Sequence, residues 1–148
     1  MSTLSNPNDT SAIAEEKPLR LSPTRENYLK VIYLEEQKSG ATRGCNITQI
    51  LGVNRSTVAV TFRELKKQGL IDYVPYGPIH LTPRGEEIAA RIVEKNTIVH
   101  DFFERVLDLD TKTAERIACE LEHILTPQTL AKLKRFTEAN LPDEGPQE

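Results

Sequence analysis

The chain has 148 residues, 38% of them hydrophobic, and a formal net charge of −3, enough for one good core or two small interlocked ones and too short for several independent domains. No run approaches the roughly 18 consecutive apolar residues of a membrane helix, and MSTLSNPNDTSAIAEEKPLR lacks the basic start and apolar centre of a signal peptide, so a cytoplasmic protein without a membrane partner is expected. The charge is uneven: residues 1–19 hold one Lys and three acids, residues 20–85 ten Lys and Arg against five acids, and residues 86–148 eight against fourteen. Residues 1–22 are polar and aperiodic and are expected as a disordered arm. From Thr24, a capping-competent residue, PTRENYLKVIYLEEQ sets Tyr28, Val31, Ile32 and Glu35 at helical spacing and predicts a first helix. SGATRG breaks the pattern, and Asn46, Ile47, Ile50 and Leu51 mark a short second helix ending at Gly52. Asn54 then caps RSTVAVTFRELKKQG, where Val58, Phe62 and Leu65 form one apolar stripe before Gly69.

LIDYV and IHLT are short β-rich runs around the turn chemistry of Pro75, Tyr76, Gly77 and Pro78, which predicts a hairpin, or wing. Thr82 caps a further helix with Pro83 at its first position, and Ile88, Ala89, Ile92 and Val93 carry the period toward Lys95. Helices are predicted near 96–107, 111–123 and 127–138, separated by LDLDT and TPQT, with a disordered tail over 140–148. The expected fold class is mainly α: a winged helix-turn-helix over residues 23–85, followed by an all-α domain over 86–139.

Helix, tight GVN turn and second amphipathic helix form the arrangement that lays the second helix in a major groove. With the stripe turned inward, Arg55, Ser56, Thr57, Ala59 and Val60 face outward near the helix start, and Arg63, Lys66 and Lys67 lie farther along. Arg55 suits a guanine edge, Ala59 and Val60 suit thymine methyls, and Ser56 and Thr57 suit phosphate or bases. Arg63, Lys66, Lys67 and, ahead of the second helix, Arg43 suit phosphates, while His80 alternates against Ile79 and Leu81 and faces solvent or the DNA backbone. The basic half therefore reads as a duplex-DNA module, joined to an acidic half that binds a partner or a cation.

In that acidic half, ACELEH spaces Cys119, Glu122 and His123 at i, i+3 and i+4, one face of a helix. A thiolate, a carboxylate and an imidazole together suit a borderline transition ion such as Fe²⁺, Co²⁺, Ni²⁺ or Zn²⁺, and His100 on the preceding helix offers another nitrogen. The competing reading makes Cys119 a small hydrophobe, Glu122 solvated and His123 satisfied near a helix end. Cys45 and Cys119 lack CxxC spacing, so neither a disulfide scaffold nor a four-thiolate zinc site is indicated.

Between about Ser22 and Phe136 the motifs PTRENYLKVIYLEE, ITQILGVNRSTV, LKKQGLI, LTPRGEEIA, HDFFERVLDLD and ACELEHILTPQTL resemble the DtxR/MntR family of metal-dependent repressors, in the short form without an SH3-like domain. The resemblance implies a transcriptional repressor, a homodimer joined through the C-terminal helices of a dimerisation and metal-binding domain, and a palindromic operator bound when a divalent metal settles between the first helix and ACELEH. It matches Cys119, Glu122 and His123 to ligands of the iron-responsive branch, with His100, Glu26 and Asn27 as further candidates. Asn27 stands where the family places Asp or Met, Lys30 at a carboxylate position of the manganese branch, Asn96 where a ligand His is usual, and Glu115 in place of a His. A cationic Lys30 would oppose a second metal and could stand in for one electrostatically. A single site is therefore expected, holding Fe²⁺ in preference to Mn²⁺, Zn²⁺, Co²⁺ or Ni²⁺. The other readings are a regulator that is metal-independent or responds to thiol oxidation at Cys119, and a metal-binding or interaction adaptor without DNA recognition. No nucleophile and base pair or phosphate loop suggests an enzyme.

Overall fold

Pro23 occupies the first turn of helix α1 (Pro23–Ser39), where its missing N–H costs nothing, and the residue before it, Ser22, supplies the cap by accepting from the Arg25 N–H at 3.3 Å. The expected cap at Thr24 is thus displaced two residues upstream. The structure, a computed structural model, describes residues 20–141; most of the arm expected over 1–22 and of the tail expected over 140–148 lies outside the described residues. Among these, no helix is long and apolar enough to cross a membrane.

Strand β1 (Thr42–Arg43) leads directly into helix α2 (Gly44–Leu51). Gly52, at φ 65°, closes α2 with its N–H on the Thr48 carbonyl, a left-handed step that a β-carbon would strain. Asn54 then caps helix α3 (Arg55–Lys67), its side-chain oxygen accepting from the Thr57 N–H at 2.8 Å. Strands β2 (Ile71–Tyr73) and β3 (Pro78–Leu81) form the hairpin, and β3 also pairs antiparallel with β1, Thr42 opposite Ile79, giving the order β1-β3-β2. The third strand was not expected, because two residues carry no alternation to detect.

Helix α4 (Pro83–Asp101) runs unbroken through the boundary expected after Lys95; Lys95 and Asn96 include neither Gly nor Pro, and nothing local stops the helix. It passes into a π-helical segment, Phe102–Val106, in which the Leu107 N–H reaches the Phe102 carbonyl five residues back at 3.2 Å. Helices α5 (Thr111–Leu121) and α6 (Pro127–Asn140) complete the chain.

Two cores result. The first joins Tyr28, Leu29, Ile32, Ile47, Val58, Phe62, Leu65, Ile71 and Ile79 with Ala89 and Ile92 of α4, and Phe62 lies edge-on to Tyr28 at 6.3 Å and tilted against Tyr73 at 5.6 Å. The second gathers Val99, Ala118 and Leu130 with Ile98, Phe103, Leu121, Leu125 and Leu133. Helix α4 contributes to both, so it is the beam between the two halves.

Candidate DNA-reading face and cation site

The inward stripe of α3 dictates its outward face. Val58, Phe62 and Leu65 are buried, which leaves Arg55, Ser56, Thr57, Ala59, Val60, Arg63, Lys66 and Lys67 exposed, as the sequence predicts. Their tasks divide. Thr57 turns its hydroxyl to the Asn54 cap at 2.9 Å, whereas Arg55 and Ser56 make no side-chain hydrogen bond among the described residues. Lys66 is tied to the wing: its ammonium donates to the Tyr73 carbonyl at 3.0 Å, lies 3.6 Å from the Asp72 carboxylate and sits 5.1 Å from the Tyr73 ring centroid. Val60, Arg63, Glu64 and Lys67 line a shallow concavity beside it. Arg43 is exposed at the end of β1.

The wing tip is a turn closed by the Gly77 N–H on the Val74 carbonyl at 2.9 Å, with Pro75 second and Tyr76, at φ 62°, third. This is type II turn geometry carried by a non-glycine residue. It leaves the Tyr76 ring fully exposed. The turn chemistry of these residues predicts the wing, but nothing in their spacing marks Tyr76 as an exposed ring at its tip. At the wing base Glu36 of α1 accepts from the Leu81 N–H at 2.8 Å and lies 3.8 Å from the half-exposed His80.

The second site forms where α1 meets the end of α5. That helix stops at Leu121, so Glu122 is its C-cap and His123 belongs to the following turn, rather than both continuing a helix to 123. The side chains converge nonetheless. Glu26 and Lys30, one turn apart on α1, face them: His123 Nδ1 is hydrogen-bonded to the Glu26 carboxylate, and Lys30 Nζ donates to Glu122 Oε1 at 3.2 Å and to Cys119 Sγ at 3.4 Å. His123 Nε2 lies 3.6 Å from the same Glu122 oxygen. The Glu122 side chain is 1% exposed and that of Lys30 12%. The second carboxylate oxygen, Glu122 Oε2, is buried without a hydrogen-bond partner among the described residues.

Of the residues predicted as ligands, Cys119, Glu122, His123 and Glu26 are therefore brought together. His100 is not: it pairs with Glu104 at 3.4 Å and Asp101 at 3.7 Å. Thiol, imidazole and two carboxylates suit a borderline divalent ion chemically. Geometrically the cluster closes on an ammonium, and no three His, Cys, Asp or Glu side chains among the described residues stand where they could hold a metal ion. A divalent ion about 4 Å from Lys30 Nζ would be repelled by about 8 kcal/mol at an effective dielectric of about 20.

A helix-turn-helix with a wing, built on an α4 beam that carries a second helical core, defines a winged-helix DNA-binding protein with an appended helical domain. Residues 20–79 match the iron dependent repressor N-terminal DNA binding domain, and residues 82–145 match the iron dependent repressor metal binding and dimerisation domain. An uncharacterised HTH-type transcriptional regulator of Methanocaldococcus jannaschii is 34% identical over 119 residues, covering 80% of this chain and 95% of that one. The transcriptional regulator MntR of Escherichia coli O6:H1 is 31% identical over 113 residues, covering 76% and 72%. Among solved structures, IdeR of T. acidophilum shares the fold with a TM-score of 0.69 at 24% identity, over 80% of this chain and 55% of that one. A manganese-dependent transcriptional repressor in complex with manganese gives 0.69 at 25% identity, over 77% and 52%. The chain spans about half the length of these solved structures. It belongs to the DtxR/MntR family of metal-dependent transcriptional repressors.

Proposed function

We propose that the chain is a cytoplasmic, homodimeric repressor that reads a palindromic operator through α3 and the wing and is governed by a divalent transition metal at the α1–α5 junction. The carrying observation is that one polar cluster, Glu26 and Lys30 with Cys119, Glu122 and His123, ties the first helix of the DNA module to the second core. A two-fold reader needs a fixed separation between its two recognition helices. Occupancy of a site that clamps α1 to the dimerising half sets that separation, which is the differential contact a coupled effector requires.

Within the reader, Arg55 supplies base contact, Ser56 and Thr57 contact phosphate or bases, Ala59 and Val60 offer apolar contact to thymine, and Arg43, Arg63 and Lys67 meet phosphates. Lys66 fixes the wing to α3 so that Tyr76 is presented beside the groove. Glu26, Cys119, Glu122 and His123 are the residues that would hold the metal, and Asn27, next to Glu26 on α1, is a further candidate ligand. A bound ion would supply two positive charges to carboxylates otherwise held by Lys30 and His123, with Fe²⁺ favoured by the Cys119 sulfur.

The test is titration of the full chain on duplex from its own promoter region with chelator, Fe²⁺, Mn²⁺ or Zn²⁺. Affinity that changes with the ion and falls in C119A supports metal control. Equal affinity throughout refutes the metal control and retains the reader; a folded chain that binds no duplex refutes the reader.

A further inference from the structure

Glu122 is the most buried charge-bearing side chain at the junction, and a carboxylate so placed needs a cation close by. It has one from inside the chain. Lys30 extends from α1 to within 3.2 Å of Glu122 Oε1 and 3.4 Å of Cys119 Sγ, while His123 bridges the same carboxylate to Glu26. We infer that the ammonium of Lys30 is the resident cation of this site: it closes the α1–α5 tie without metal, and a divalent ion enters only by displacing it.

Three observations converge. The ammonium contacts two of the four donors that a metal would use, so both occupants cannot share them. Lys30 is itself largely buried, with 12% of its side chain exposed, so its pose is held by packing and by more than one acceptor. Glu122 Oε2 remains buried and unpartnered among the described residues, so the carboxylate offers more acceptor capacity than one ammonium satisfies, and an incoming ion can compete for it. The consequence is a higher threshold. A site whose competent form is only fractionally populated binds with its intrinsic affinity reduced by that fraction, so the chain responds to metal only at concentrations that outcompete its own lysine.

This rests on the proposed α1–α5 control point, but its first readout does not involve DNA. Co²⁺ binding to the full chain is followed through the thiolate-to-cobalt absorption band, with thermal shift alongside, for wild type, K30M and K30R. K30M keeps most of the length of the side chain and removes its charge. It is expected to bind Co²⁺ roughly tenfold or more tightly than wild type and to gain a cobalt-dependent rise in Tm, with K30R remaining weak. Wild type binding Co²⁺ as tightly as K30M, with the band lost in C119A, overturns the inference. If K30M does not fold, K30M/E122Q carries the test: removing the lysine after its carboxylate is neutralised should leave Tm equal to or above that of E122Q, and a further drop overturns the pairing. On promoter DNA, wild type should change affinity between chelator and Co²⁺ only at cobalt concentrations that displace the lysine, and K30M in chelator should bind more weakly than wild type in chelator. Unchanged binding by K30M in chelator refutes Lys30 as the closing cation.

Discussion

Replacing Gly85 by Ala sets two effects of opposite sign against each other, and the structure decides which wins. Gly85 lies in the first turn of α4, where Ala would ordinarily gain about 0.5–1 kcal/mol in helix propensity. A β-carbon there would stand 1.9 Å from the Leu70 carbonyl oxygen and 2.8 Å from its carbon, both backbone atoms. Ordinary contact begins near 3.4 Å, so α4 must retreat by about 1.5 Å. That movement breaks the two bonds holding the helix start to the turn after α3, the Thr82 N–H on Leu70 at 3.0 Å and the Thr82 hydroxyl on Gly69 at 2.5 Å. Overpacking costs about 1–3 kcal/mol and each hydrogen bond about 1. Net of propensity, G85A should be destabilised by about 2–4 kcal/mol, a fall in Tm of roughly 10 °C for a chain of this size. Thermal and urea unfolding by circular dichroism measure it, the urea slope checking that the transition is unchanged. A G85A protein within about 2 °C of wild type would show that the close approach does not exist.

N54A removes the α3 cap and should cost about 1 kcal/mol in chemical denaturation, with N54D retaining most of it. E36A deletes the acceptor for the Leu81 N–H and should cost about 1–2 kcal/mol, whereas E36Q, which keeps an acceptor, should recover much of the loss. R55A should lose about 1–3 kcal/mol of discrimination on operator variants, while K67A should weaken all duplexes alike and lower the salt dependence by about one counterion. Asp110 is held below the usual aspartate range by the hydroxyl and N–H of Thr113, so its cap stabilises α5 above the unfolded-state value of about 3.9 and fails as pH falls through the lower folded value. The Tm difference between wild type and D110A should accordingly be largest near neutrality and shrink in acid.

The reader was legible because its signals are periodic and local. Val58, Phe62 and Leu65 repeat at the helical period, Asn54 stands immediately ahead of them, and Pro75 with Gly77 marks the wing. Where local signals were absent the reading failed. Thr42 and Arg43 form a strand only because β3 is already there to pair with. The break expected after Lys95 does not occur because an uninterrupted α4 lets Ile92 and Val99 serve different cores. Spacing made only half of the cation site legible: ACELEH announces its own three side chains, whereas Lys30, 92 positions from Glu122, and Glu26, 97 from His123, were reached through the family resemblance alone. No spacing rule spans such distances.

That separation also explains why the junction is suited to control. Helix α4 joins the two cores rigidly, since it contributes buried side chains to both, and by itself it would fix α1 relative to α5 at one angle. The polar cluster acts at a different point, where α1 meets the end of α5, and is held by side chains rather than by continuous backbone. Long side chains such as Lys30 and Glu26 tolerate adjustment where a helix does not. The proposed exchange of one ammonium for one divalent ion would change the charge and the donor set at this point. The change is levered through α1, whose Tyr28, Leu29 and Ile32 pack in the same core as Phe62 of the recognition helix. A sub-ångström rearrangement at Glu122 therefore reaches α3 through close-packed side chains that do not compress.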